Sequence, residues 1–156
     1  MIIFNRTKSC SVDETEDGLL EARGTFIDTV HEICLTLYVS KETLEIVKAK
    51  ADMVRIPHPF CEEAQGQDIN LVGVKIGPGA RKAVQNAVGH SHGCTHLADL
   101  ALDMVKALVT TNYRIQQRGK SEEEIIAQYV EELGGTCNQW TKKREEFSKK
   151  KLSVAK

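Results

Sequence analysis

The chain has 156 residues, a length that suits one domain able to bury a core without disulfide or metal staples. Lys and Arg number 21 against 22 Asp and Glu, so no net field draws it to nucleic acid or to an anionic membrane, and no window approaches the roughly eighteen apolar residues of a spanning helix. The opening Met1-Ile2-Ile3-Phe4 is too short for a signal-peptide core, which makes a cytoplasmic setting the expectation. Thiols stay reduced there, and an odd count of five cysteines directs attention to metal binding or thiol chemistry.

Residues 1–17 are polar and aperiodic, and they read as an N-terminal arm. Leu20, Ala22, Gly24 and Phe26 alternate with polar residues, and Ile33, Leu35, Leu37 and Val39 do so again after Asp28-Thr29, which predicts two paired strands. Val47, Ala49, Ala51 and Met53 predict a third beyond the Ser40-Lys41-Glu42-Thr43 break, giving a three-stranded antiparallel sheet. Cys34 falls on the face opposite Ile33 and Leu35, where a packing role is expected of it. Pro57 and Pro59 end the sheet and bracket His58, just ahead of Cys61, in a stiff loop. Pro78 and the spacing of Ala80, Val84 and Val88 predict a short helix that stops at Gly89. A long helix follows from Cys94 to about residue 115–118, because Leu97, Leu100, Ala101, Met104, Val105 and Leu108 share one face. Ser121-Glu122-Glu123-Glu124 reads as a capping box for a further helix, and Gly134-Gly135 ends it ahead of Cys137 and a last amphipathic helix. The late basic run, Lys142 to Lys151, is interleaved with Glu145 and Glu146 and reads as a solvated helix face with a tail at 151–156.

The densest chemistry lies in His90-Ser91-His92-Gly93-Cys94-Thr95-His96, which holds three of the five histidines and one cysteine. Gly93 and the periodicity put Cys94 at the start of the long helix, where free N–H groups and the positive dipole end favour a thiolate and would lower its pKa from the free value of about 8.5. Residues two apart on a helix point about 200° apart, so Cys94 and His96 converge only if Cys94 is the cap. Cys61, Cys94 and Cys137 all fall at loop or helix-start positions, which invites a shared site. The metal set expected is Cys61, Cys94, His96 and Cys137, with His58 and His92 in reserve, and zinc or an iron–sulfur cluster would accept such donors. One alternative is a thiol enzyme with Cys94 as nucleophile and His96 or His92 as base. Another is a metal-free interaction module whose cysteines only pack.

Arg6, Asp17-Gly18 with Glu21-Ala22, Asp28, Pro57-His58 with Cys61, Leu71-Val72-Gly73, Ile76-Gly77-Pro78-Gly79, Gly93-Cys94-Thr95-His96-Leu97 and the late Cys137 together resemble the bacterial DUF2889 family of unknown function, over residues 5 to 140. That resemblance implies Cys61, Cys94, His96 and Cys137 as the family's site and implies no activity. A more distant likeness is to iron–sulfur cluster scaffolds of the IscU and SufE kind, in which a Gly-Cys opens a long helix after a small antiparallel sheet. It is carried here by Gly93-Cys94, the Gly119-Lys120-Ser121 turn and Cys137, while Cys61 follows the sheet instead of preceding it. The expectation is thus an α+β protein, one domain over 18–150 with a three-stranded antiparallel sheet covered by about four helices, IscU/SufE-like. It would act as a cytoplasmic metal- or cluster-binding scaffold or accessory factor working with another protein.

Overall fold

Alternating side chains make β2 (Leu19–Asp28) and β3 (Glu32–Ser40), whose inward residues Leu20, Ala22, Phe26, Ile33, Leu35, Leu37 and Val39 are all buried. The computed structural model describes residues 1–154, and for His92 and residues 148–154 the backbone alone. Residues 155 and 156 of the tail read at 151–156 lie outside the described residues.

The sheet has four strands, not three, in the antiparallel order β1-β2-β3-β4. The added strand, β1 (Arg6–Glu14), occupies the stretch that reads as an arm and pairs along its whole length with β2. Hydrophobic alternation misses it because its contacts are made by charge. Arg6 pairs with Asp28 at 3.0 Å, while Lys8 bridges Asp99 at 3.0 Å and Asp103 on the long helix. The turn from β1 to β2 places Gly18 at φ 82, a left-handed conformation that a side chain at this position would resist. In β4 (Ile46–Arg55) a register shift at Tyr38/Val39 inserts one residue. Ile46 therefore points inward and Val47 outward, although Val47 continues the apolar phase of Ala49, Ala51 and Met53 in the sequence. Cys34 is half-buried on the outer face, between Thr25 and Asp52 in register, and burial pushes its thiol pKa up.

Among the described residues four α-helices follow, with three short 3-10 turns at Pro59–Ala64, Gln67–Leu71 and His90–His92. α1 (Ala80–Val88) buries Ala80, Val84 and Val88. α2 (Thr95–Gln116) buries the predicted stripe of Leu97, Leu100, Ala101, Met104, Val105 and Leu108. It lies close over β2: a Cβ added at Gly24 would sit 2.6 Å from Met104 Sδ and 3.0 Å from Leu100 Cδ1. None of the helices among the described residues is long and apolar enough to cross a membrane.

The chain divides into two compact units, Met1–Tyr113 and Arg114–Lys156. The second holds α3 (Glu122–Leu133) and α4 (Asn138–Val154). Ser121 caps α3 with the reciprocal capping box that its sequence predicts, and Tyr129 meets Trp140 edge-on at 5.0 Å.

Candidate metal centre

The approach to α2 is fixed by backbone. Cys94 N–H donates to the Val88 carbonyl at 2.9 Å and the Cys94 carbonyl accepts from Ala98 at 2.9 Å, which makes Cys94 the cap residue of α2. Gly93 permits this fold-back, since a Cβ there would lie 2.0 Å from the Val88 oxygen. His90, at φ 55, is one of two non-glycine residues in the left-handed region among the described residues, so the loop is held in a costly conformation beside the site.

With Cys94 at the cap, its Sγ lies 3.9 Å from His96 Nδ1. Both side chains line a cavity of about 580 Å³, within the size range of small-molecule sites. Cys61 lines it too, carried by the 3-10 turn whose first residue is Pro59 and tied by its N–H to the His58 carbonyl at 3.0 Å. Met53, Ile56, Phe60 and Ala64 give the cavity an apolar wall, and Glu63, Gln67, Ser91 and Thr95 a polar one.

Of the residues singled out in the sequence, Cys94 and His96 thus come together, and Cys61 lines the same cavity. His58 stacks on Phe60 at 4.9 Å, and it is Phe60 that faces the cavity. The His92 side chain lies outside the described residues. Cys137 belongs to the second compact unit, where it is exposed and its carbonyl accepts from Thr141 N–H at 3.0 Å near the start of α4.

Two further groups stand at the site that the sequence reading passes over. His31 lines the cavity, its ring 4.0 Å from that of His96, and both rings flank Phe26. Behind it lies Asp28, buried at 6% exposure at the end of β2. Asp28 Oδ1 accepts from Val30 N–H at 2.9 Å, His31 N–H at 2.7 Å and His31 Nδ1 at 3.0 Å, and Oδ2 accepts from Arg6 at 3.0 Å. Burial alone would raise the Asp28 pKa, but these donors outweigh it and hold the carboxyl well below the usual carboxylate range. The His96 pKa is pushed down too, by burial and then by the neighbouring His31 and Arg6, and in an imidazole that favours the neutral form. Asp28-Thr29-Val30-His31 reads locally as a hairpin turn with an Asx bond. That reading explains two of the bonds and gives no hint that His31 reaches a cavity floored by α2.

A family model described as a protein of unknown function, DUF2889, matches residues 4–110. The chain belongs to the DUF2889 family. The match nearly coincides with the first compact unit and takes in all four strands, Asp28, His31, Cys61, Cys94 and His96. It stops short of Cys137, so the family likeness does not extend to the residue that the sequence placed as a fourth ligand. No curated protein and no solved structure matches the chain.

Proposed function

We propose that this DUF2889 protein binds a thiophilic transition metal, zinc or iron as a single ion or as a small iron–sulfur cluster, through Cys61, Cys94 and His96. The observation that carries the proposal is the convergence of these three soft donors on one cavity, with Cys94 Sγ and His96 Nδ1 3.9 Å apart. Two such donors on one tetrahedral zinc, at about 2.3 Å for sulfur and 2.0 Å for nitrogen, stand roughly 3.5 Å from each other. For this pair, side-chain shifts of a few tenths of an ångström would close the difference, while Cys61 would be drawn in from the cavity lining. A cavity larger than an ion needs leaves room for a second ligand or for a cluster. A small antiparallel sheet followed by a Gly-Cys that opens a long helix supports the cluster form, in which the protein acts in the cytoplasm as scaffold or accessory factor to a partner protein.

The same pair favours a second reading, thiol catalysis, in which His96 takes the Cys94 proton and the thiolate attacks an electrophile in the cavity. One preparation separates the two. Protein purified without oxygen is expected to hold about one zinc per chain, or iron with acid-labile sulfide, and Cys94→Ser and Cys61→Ala are each expected to lower that content severalfold. Metal-free wild-type protein that also takes up no zinc or iron when offered would sink the metal proposal. Faster alkylation of Cys94 than of Cys34 near neutral pH in such protein would then leave the thiol reading standing.

A further inference from the structure

We infer that His31 is a further ligand of this metal, presenting Nε2, and that Asp28 is a positioning residue outside the coordination sphere. The inference rests on the metal reading above and adds to it two residues and a donor set drawn from the first compact unit alone: Cys61, Cys94, His96 and His31.

The ligand atoms of Asp28, His31 and His96 all lie within 4.8 Å of one another, which gathers the two imidazoles and the carboxylate at one spot; Cys61 and Cys94 are outside that group and face the imidazoles from the lining of the same cavity. The hydrogen bonds of Asp28 and His31 assign the roles. An ionised carboxylate only accepts, so the His31 nitrogen facing Asp28 Oδ1 at 3.0 Å carries the proton, and Nε2 of the neutral ring is left with its lone pair. Asp28 has little left to offer a cation. Its two oxygens already accept from two backbone N–H groups, the His31 ring and the Arg6 guanidinium, and it is buried while His31 lines the cavity. Coordination through Oδ1 would mean breaking bonds that also close the β2–β3 turn, and Oδ2 is held by the Arg6 guanidinium, whose positive charge disfavours a second cation beside it. A histidine whose distal N–H is held by a carboxylate is the usual form of a metal-bound imidazole, because the carboxylate fixes the tautomer and makes the ring a stronger donor. Arg6 neutralises Asp28 from the other side at 3.0 Å and lies over the Phe26 ring at 4.7 Å, so the carboxylate is locked in place before any metal arrives.

The competing explanation is that Asp28 and His31 only build a hairpin turn. Two substitutions tell the cases apart. Asn at position 31 can place an N–H where His31 Nδ1 stands and so keep the bond to Asp28, but it has nothing at the position of Nε2. His31→Ala removes both the bond to Asp28 and the Nε2 donor. The full-length protein, stripped of metal under argon, would be titrated with cobalt(II), whose thiolate charge-transfer and visible d–d bands report sulfur donors and coordination geometry separately. For the wild type we expect tetrahedral-type d–d bands together with thiolate charge transfer. His31→Asn is expected to bind cobalt more than about 100-fold more weakly, a larger loss than an outer partner gives, with the thiolate band kept at saturation and the d–d bands altered. Asp28→Asn is expected to weaken binding about 10- to 100-fold and to leave both sets of bands where they were. Circular dichroism of each metal-free variant checks that the comparison is made on folded protein, and His31→Ala supplies the ligand-deficient case should His31→Asn fail to fold. Wild-type affinity and an unchanged d–d spectrum in His31→Asn would remove His31 from the site and leave the metal proposal intact. Displaced d–d bands in Asp28→Asn would make Asp28 a ligand and overturn its assignment as positioning residue. A wild type that binds no cobalt would fail the metal proposal itself.

Discussion

The first turn of α2 and its middle turns are made from the same continuous helix and do opposite work. At the start, Cys94 and His96 are half-buried and face a cavity, with the His96 ring against buried Phe26 on its inner side. Two turns on, Leu100 and Met104 are fully buried and sit so close to β2 that only a glycine fits opposite them. The helix is anchored from Leu97 onward, and only the side of its first turn that carries Cys94 and His96 stays open to the cavity. Where packing supplies the stability, the first turn is free to hold polar groups in positions that stability alone would not select.

The largest expected effect tests the anchored part. Met104→Ala removes a buried side chain with no room for the helix to settle further, and urea melts are expected to show a loss of about 2 to 5 kcal/mol. Next comes the opposing surface. Gly24→Val puts volume where Met104 Sδ and Leu100 already press, at an expected cost of about 1 to 3 kcal/mol. The double variant should recover part of it, since one change vacates the space that the other fills. Strictly additive losses would mean that Gly24 does not act through Met104.

At the open end the expected effects on folding are smaller. In metal-free protein, His96→Ala and Cys94→Ser should each stay within about 1 kcal/mol of wild type while metal binding falls sharply. The measurement needs apo protein, because a metal bound to the native state alone adds stability of its own. A loss from His96→Ala as large as that from Met104→Ala would erase the distinction between the two ends of the helix.

The smallest signal is in the pH dependence. The His96 pKa is lowered in the folded protein, so between that value and the unfolded value of roughly 6.5 the unfolded chain binds more protons. His96 therefore favours folding fully above that window, and the advantage is lost as pH falls through it. The melting midpoint of apo wild type should drop more steeply than that of His96→Ala between about pH 8 and pH 5. Asp28 acts further down the scale. Its lowered pKa gives stability above the unfolded carboxylate value of about 3.9 that is lost as the solution is acidified below it, and Asp28→Asn should flatten that acid limb.

Periodicity in the chain determined β2, β3, most of β4, both amphipathic faces of α1 and α2, and the cap of α3, because each of these is written in neighbours three, four or two residues apart. It determined Cys94 as the cap of α2 for the same reason: Gly93 and the first apolar residue of the stripe lie on either side of it. Tertiary structure decided the rest. β1 faces α2 with Arg6 and Lys8 and finds its carboxylates at Asp28, Asp99 and Asp103, far along the chain, so no local pattern marks it as a strand. The bulge that turns Val47 outward depends on the register with β3. His31 joins the site only because the β2–β3 turn and the start of α2 meet at the same end of the sheet, where its ring comes within 4.0 Å of His96. A turn sequence fixes how Asp28 holds its own neighbours. What those neighbours then face is fixed by the packing of a helix that begins more than sixty residues later, as the numbering of His31 and Thr95 shows.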